Sequence, residues 1–387
     1  MSLCSRLNAI GVFFAVVLLA MAAPAQAQLF ETRAGQAILL DAKTGTVLYE
    51  KDANKRVPPA SLAKMMTMEV VFDALKKGRL SLDDEFHVSE FAWRTGGATS
   101  GGSTMFAELN SSIRLEDLIR GVIIQSANDG CIIIAEGMAG SEPNFARLMT
   151  KRAREIGLRD SVFFNSTGLP AEGQFVTMHD LAKLADHLQR EYPEFYRFYS
   201  EPEFTWNGIL QRNRNPLLKM GIGADGVKTG YTEASGYAIV GSVKRGERRL
   251  ITAMSGLPNL RTRAEEARKI LDWGDRAFEA HEIFKKGEVI GNVRLYGGAQ
   301  LTVPVAANDD LDILLPLANR DAMKARVVYK GPVKAPVAEG DQIAMLKVWV
   351  GDKLTQETPL FAAETVERGP IHRQAFDALT ELVLGWI

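Results

Sequence analysis

Histidine is scarce in this sequence, and cysteine is scarcer. Five histidines and two cysteines are spread over 387 residues. No pair of histidines makes a His-Glu-x-x-His string or a comparable metal spacing, which excludes a zinc-hydrolase helix. Cys4 lies in the N-terminal segment 1–27 read below as a leader, so Cys131 stands alone in the rest of the chain and an internal disulfide is excluded there. Its neighbours Ile132, Ile133 and Ile134 are the company of a buried, inert thiol. Net charge is nearly absent too: 46 Lys and Arg against 47 Asp and Glu leave −1. The chain therefore lacks the basic field that a nucleic-acid partner would need. There is no Gly-x-Ser-x-Gly elbow, no phosphate-binding glycine loop, no internal repeat and no low-complexity tract. Gly96-Gly97 and Gly101-Gly102 read as a mobile loop.

The N-terminal apolar run, Ile10 to Met21, is shorter than the about 20 residues a bilayer span needs. Arg6 precedes it and Ala25-Gln26-Ala27 follows it, the pattern of a secretory signal peptide over residues 1–27. The remainder is 46% apolar by the whole-chain figure and long enough for more than one domain. It opens with a hairpin, Gln36–Asp41 and Thr46–Tyr49, around Lys43-Thr44-Gly45. A helix over Ser61–Lys77 is introduced by Pro58-Pro59 and closed by Gly78. Helical periodicity returns at Leu115–Ile124, Asp129–Met138, Asn144–Ile156, His179–Gln189 and Arg263–Ala280. Strands are expected at Tyr237–Val243 and Arg249–Met254. The pattern predicts an α/β (α+β) domain over residues 28–281, with helices packed on an antiparallel sheet. After His281, short strand-like runs separated by Gly, Asn-Asp and Gly-Pro turns predict a small all-β sandwich over residues 282–368. Residues 369–387 form an amphipathic helical pattern. Ile371, Phe376, Leu379, Leu382 and Trp386 share its apolar face, which suits a membrane surface. Packing on a neighbouring subunit or on the β domain is the alternative.

Three strings carry the chemistry: Ser61-Leu62-Ala63-Lys64, Ser126-Ala127-Asn128 and Lys228-Thr229-Gly230. Each is weak alone; their order and wide separation make them specific. Ser61 sits at a helix N-terminus, where backbone N–H groups favour developing negative charge. Lys64, one turn on, shares its face. Leu62, Met65, Met66, Met68, Val71 and Phe72 make that helix apolar nearly all round, so Lys64 is desolvated and its amine can act as a base. Ser126 can relay a proton, and Asn128 offers a donor and an acceptor to a substrate amide. Both are also common helix caps. Lys228, Thr229 and the close-approach residue Gly230 suit a substrate carboxylate. The second copy, Lys43-Thr44-Gly45, lies inside a hairpin and reads as a turn. His179 and His187 share one helix and read as structural or solvated.

These segments resemble the serine-type D-alanyl-D-alanine carboxypeptidases, the low-molecular-mass penicillin-binding proteins. Pro59-Ala60-Ser61-Leu62-Ala63-Lys64-Met65-Met66-Thr67 is similar to the nucleophile segment. Gln125–Asp129 is similar to the second motif and Asp225–Thr232 to the third. Asn165-Ser166-Thr167-Gly168-Leu169 looks like the loop bordering the site. The resemblance implies acyl transfer through a Ser61 ester, cleaving D-Ala-D-Ala-terminated peptidoglycan stem peptides, with acylation by β-lactam antibiotics and no metal or organic cofactor. It implies an oxyanion hole from the backbone N–H groups of Ser61 and Tyr231, and an arginine that holds the terminal carboxylate: Arg263, with Arg261 as runner-up. Gly130 and Tyr231 depart from the family's usual residue types, so backbone rather than side-chain roles are carried over to them. It also implies a periplasmic enzyme, peripheral on the outer face of the inner membrane. The rivals are a DD-endopeptidase acting on cross-links, a non-catalytic peptidoglycan-binding protein, and a β-lactamase. The last would need a deacylating glutamate, for which Glu155-Ile156-Gly157-Leu158-Arg159 is a poor match.

Overall fold

A computed structural model describes residues 30–317, 323–372 and 374–375. The expected leader over 1–27 and the greater part of the expected C-terminal helix lie outside them. The chain divides after Glu31, and the architecture below is that of the unit beginning at Thr32.

Strand β1 (Gln36–Asp41) is buried at all six positions, as a strand covered on both faces must be. It turns through Gly45, at φ +69°, into β2 (Val47–Lys51). The chain then makes the helical part. It contains α1 (Lys64–Lys76), a small hairpin of β3 (Glu85–His87) and β4 (Ser112–Arg114) enclosing α2 (Glu90–Gly96), then α3 (Leu115–Arg120), α4 (Asn128–Ala139), α5 (Glu142–Glu155) and α6 (Met178–Glu191). A second hairpin, β5 (Glu203–Trp206) and β6 (Ile209–Arg212), follows. Then come β7 (Ala224–Thr232), β8 (Gly236–Arg245), β9 (Arg248–Leu257) and α7 (Leu260–Ala277). Side-chain caps start four of the helices: Ser89, Ser141, Thr177 and Asn259 each accept from the N–H three residues on.

The central sheet is antiparallel with order β2-β1-β9-β8-β7, so β7 is an edge. Ile38, Leu40, Ile251 and Ala253 join the main core with α1. On the opposite face Leu39 meets α7, where a Cβ on Gly274 would lie 2.3 Å from the Leu39 Cδ2. Every residue from Lys64 to Leu75 is buried. This central helix is what the all-round apolar pattern predicted.

Helix α7 stops at Ala277, not Ala280. Phe278 instead begins β10 (Phe278–Phe284). The segment Phe-Glu-Ala-His-Glu-Ile-Phe suits either state locally. Pairing with β13 (Leu311–Pro316), distant in sequence, decides it, so the β region starts at 278. It continues through β11 (Val289–Tyr296), β12 (Thr302–Ala306), β14 (Met323–Val328), β15 (Val333–Lys334), β16 (Gln342–Val350) and β17 (Lys353–Ala362). A six-stranded sheet, β14-β16-β17-β12-β11-β15, and the β10-β13 pair share one core of Val293, Val303, Val305, Ile313, Leu346 and Val348. The first hairpin docks on this domain. Lys43 Nζ lies 2.5 Å from Asp312, and Thr46 Oγ1 donates to Gln356 Oε1 at 3.1 Å. The duplicate Lys-Thr-Gly string is thus a turn, as read, and its lysine ties the turn to the β domain.

Candidate active site

Ser61 lies in a single 3-10 turn, Ala60–Ala63, that runs directly into α1. Ala60 takes φ +48°, a left-handed conformation that is strained for a residue with a side chain. Lys64 Nζ stands 3.1 Å from Ser61 Oγ. It also donates to Asn128 Oδ1 at 2.8 Å and to the Thr167 carbonyl at 2.6 Å. The lysine is 1% exposed. Burial lowers its pKa most, and the nearby Arg214 cation lowers it further. Two of its three neighbours are pure acceptors here, while the Ser61 hydroxyl can donate. A neutral amine keeps two N–H groups for the former and a lone pair for the latter.

The second motif is shaped by its backbone. Helix α3 widens into a π turn over Gly121–Gln125 and ends at Ser126, at φ +65°. Helix α4 then starts afresh at Asn128, and Ala127, not a polar side chain, occupies its cap position with no side-chain cap bond. Neither Ser126 nor Asn128 is therefore the N-cap of α4; Ser126 closes the preceding turn through its backbone, not its hydroxyl. Ser126 Oγ is buried without a hydrogen-bond partner among the described residues. Cys131 is fully buried, and burial pushes its thiol up to about 12.

Three of the four glycines read as a mobile loop, Gly96, Gly97 and Gly102, are close-approach positions instead, while Gly101, at φ +69°, faces open space. A Cβ on Gly96 would lie 2.5 Å from the Asp129 amide, one on Gly97 2.3 Å from the Trp93 carbonyl, and one on Gly102 2.9 Å from Asn128 Nδ2. The loop is packed onto the second motif. Asp129 accepts from Thr104 Oγ1 and from the Met105 and Ala107 amides, and the Asn128 amide donates to the Ser103 carbonyl at 2.7 Å. Glycine clusters look alike in open loops and in tight ones; only the tertiary contact separates them.

The third motif lies on edge strand β7. A Cβ on Gly230 would come within 3.2 Å of the Ser61 amide nitrogen, so the strand passes beside the Ser61 backbone. Lys228 and Thr229 are buried. Lys228 Nζ donates only weakly, to the Thr229 carbonyl at 3.3 Å. Burial, then Lys64, then Arg214 hold its pKa well below the usual value. Tyr231 is 53% exposed, with its ring 4.4 Å from that of Tyr237. Over Tyr237, at 5.8 Å, stands the guanidinium of Arg263. Arg263 is buried, its Nε has no partner among the described residues, and burial lowers its pKa. Arg261 points away and pairs with Glu265 at 2.7 Å.

One group escaped the sequence reading. Arg214 follows β6, donates to Ser103 Oγ, and is felt by Lys64, Lys228 and Arg263 alike. No motif marks it in Asn213-Arg214-Asn215; only the fold brings it to the cleft. The bordering loop closes the site. Ser166 is anchored through its amide and hydroxyl on Glu142 Oε1, and Gly168 lies against Ala60. Glu155 pairs with Arg152 at 3.2 Å and Lys151 at 3.9 Å and bonds none of the residues gathered around Ser61. His187 bonds Glu69 within a structural network with Arg152 and Tyr192.

Comparison with known proteins gives the family and the fold. A family profile described as D-alanyl-D-alanine carboxypeptidase matches residues 21–258, and one described as penicillin-binding protein 5, C-terminal domain, matches residues 278–368. The chain is 37% identical over 343 residues to the D-alanyl-D-alanine carboxypeptidase DacC of Escherichia coli, covering 88% of this chain and 86% of that protein. It is similar to the crystal structure of penicillin-binding protein 5 from Haemophilus influenzae, with TM-score 0.76 and 34% identity over 88% of this chain and 99% of the other. It also resembles penicillin-binding protein D2 of Listeria monocytogenes in its ampicillin-bound form, with TM-score 0.56 and 26% identity over 64% and 99% of the two chains.

Proposed function

The chain belongs to the D-alanyl-D-alanine carboxypeptidase family, and on that premise we propose which of its residues perform the reaction. The enzyme is a serine-type D-Ala-D-Ala carboxypeptidase that acts on peptidoglycan peptides and binds β-lactams. Ser61 Oγ attacks the carbonyl between the last two D-alanines, and the neutral Lys64 amine takes the hydroxyl proton. The Ser61 and Tyr231 amides receive the oxyanion. Ser126 and Lys228 pass a proton to the departing D-alanine nitrogen, and the acyl-enzyme is released by water. Thr229, Gly230 and Arg263 hold the terminal carboxylate, inside a field to which Arg214 adds. Asn128 steers Lys64 with its Oδ1 and leaves Nδ2 for the substrate amide. The observation that carries this reading is the desolvated Lys64 amine 3.1 Å from Ser61 Oγ. The relatives that cover most of the chain are named carboxypeptidases, which does not favour the endopeptidase alternative. The Glu155 carboxylate, engaged by Arg152 and Lys151, gives no support to a β-lactamase.

The test is intact-mass analysis after incubation with benzylpenicillin, with peptide mapping of the adduct. Acylation is expected on Ser61. Ser61→Ala should fold, take no adduct and lose about six orders of magnitude in D-alanine release. Near-normal release by that variant would overturn the assignment.

Residues 1–27 are proposed to direct export to the periplasm. The helix pattern over 369–387 is proposed to hold the enzyme on the outer face of the inner membrane, lying in the interface. Among the described residues no helix is long and apolar enough to cross a membrane. Truncation after Gly369 should move the enzyme from the membrane pellet to the soluble fraction with activity intact. A full-length protein that is already soluble would refute the anchor.

A further inference from the structure

Arg263 stands where a cation is poorly served. It is the fourth residue of α7, in the first turn, where the helix dipole disfavours positive charge. It is buried. Among the described residues no carboxylate pairs with it, and its Nε has no partner. The attraction that the structure does supply is the ring of Tyr237, whose centroid lies 5.8 Å from the guanidinium carbon.

The sheet register explains why one tyrosine meets both the arginine and the third-motif strand. Tyr237 lies on β8, opposite Tyr231 of β7 on one side and Leu257 of β9 on the other. Just past Leu257 the chain turns, at Asn259, into α7 and so reaches Arg263. On β7, Tyr231 lies two residues beyond Thr229, so the two share a face of the strand. Tyr237 therefore stands between the strand that carries Thr229 and the helix that carries Arg263. Its ring is not free to swing away. It is half-buried, and the Tyr231 ring packs on it with centroids 4.4 Å apart and a tilt of 36°.

We propose that Tyr237 is a positioning residue for Arg263. Its ring face directs the guanidinium toward the carboxylate site at Thr229, and the Tyr231 ring braces it. Tyr231 departs from the family's usual residue type, and the ring it brings is what packs on Tyr237. The face of Tyr237 does this, not its hydroxyl, so phenylalanine can replace it and leucine cannot. The proposal rests on the carboxypeptidase reading and on the carboxylate role of Arg263 given above.

The experiment measures kcat/KM for Nα,Nε-diacetyl-L-Lys-D-Ala-D-Ala and for the same peptide amidated at its C-terminus. Each acid-to-amide ratio is taken on a single preparation and so is independent of the folded fraction. Tyr237→Leu should lower the ratio about five-fold, the loss of one cation–π contact, while Tyr237→Phe should keep the parent's ratio. Tyr231→Ala, which retains the backbone amide, should lower it about two-fold. In an Arg263→Gln background Tyr237→Leu should lower it no further, because the two changes remove one interaction. A parent-like ratio in Tyr237→Leu, an equal loss in Tyr237→Phe, or a five-fold loss that persists without Arg263 overturns the positioning role while the carboxypeptidase reading stands. If Arg263→Gln itself leaves the ratio unchanged, the carboxylate role of Arg263 falls and the positioning role with it. If the parent enzyme cleaves neither peptide, the carboxypeptidase reading is overturned as well.

Discussion

The Thr167 carbonyl accepts a 2.6 Å hydrogen bond from Lys64 Nζ, the shortest contact that this amine makes. The loop bordering the cleft is therefore part of the amine's environment. With Asn128 Oδ1 at 2.8 Å, it fixes two of the amine's directions and leaves the third for Ser61. Glu142 holds this loop from below through Ser166, which links the start of α5 to the orientation of the base.

Gly168 is the position on which that arrangement turns. It has φ +80°, and a Cβ there would lie 1.8 Å from the Ala60 carbonyl oxygen. Neither backbone can yield without moving the Thr167 carbonyl or the turn that carries Ser61. Gly168→Ala is expected to slow acylation by benzylpenicillin about 100-fold, the cost of roughly 1 Å of misplacement. It should also lose about 1–2 kcal/mol of stability from the left-handed backbone alone. Stopped-flow acylation and a urea melt check the two. An unimpaired acylation rate would mean that the loop does not position Lys64.

The pH dependence of acylation should follow the Lys64 and Lys228 pair. Burial lowers both lysines, each also feels Arg214, and Lys228 in addition feels Lys64. The base must be neutral, so the acylation rate rises with pH and levels off above the depressed pKa, below the ordinary lysine value of 10.5. Arg214→Gln removes a cation that disfavours the protonated amines. It should raise the pair's pKa and shift the rising limb to higher pH, slowing acylation at neutral pH. A limb that shifts to lower pH in the variant would contradict this account.

Asp129 tests the reinterpretation of the glycine loop. The residue is fully buried and accepts from Thr104 Oγ1 at 2.6 Å and from the Met105 and Ala107 amides at 3.0 and 3.1 Å. Asp129→Asn keeps the shape but turns an N–H group toward donors. The expected loss is about 2 kcal/mol in a urea melt, typical of a hydrogen bond to a buried charge. A slower acylation should accompany it, because the same loop holds the Asn128 amide through the Ser103 carbonyl. A variant as stable as the parent would show that this loop is loosely held after all.

Much of this arrangement was legible in the residues. The central helix declared itself through an apolar surface on every side, and the three motifs came together as their order implied. Long, periodic segments such as α5 and α6 fell within a few residues of their expected limits. What was not legible depends on contacts between distant residues. The three- and four-residue strands of β3–β4 and β5–β6 are too short to show a period. Phe278–Phe284 becomes a strand because β13 is there to pair with it. Gly96, Gly97 and Gly102 look like slack until Asp129, the Trp93 carbonyl and Asn128 are seen against them. Arg214 belongs to no motif and reaches the site only through the fold.

The choice between two arginines was open in the sequence, and exposure separates them. Arg261 is 88% exposed at its side chain and bound to Glu265. Arg263 is buried over Tyr237, with an Nε that has no partner among the described residues and the electrostatic influence of Lys228 and Arg214. A buried guanidinium without an acidic partner is costly unless an anion completes it, and a peptide's terminal carboxylate has the geometry to do so. Arg263→Gln is expected to cut kcat/KM for a D-Ala-D-Ala peptide by about 10- to 100-fold, in line with about 1.5–3 kcal/mol for a charged hydrogen bond. The loss should vanish when the peptide's C-terminus is amidated, because the neutral amide offers no charge to recognise. Arg261→Gln should leave both substrates unchanged. Equal losses on the acid and the amide would mean that Arg263 supports the fold rather than the carboxylate, and a larger effect at Arg261 would transfer the role to it.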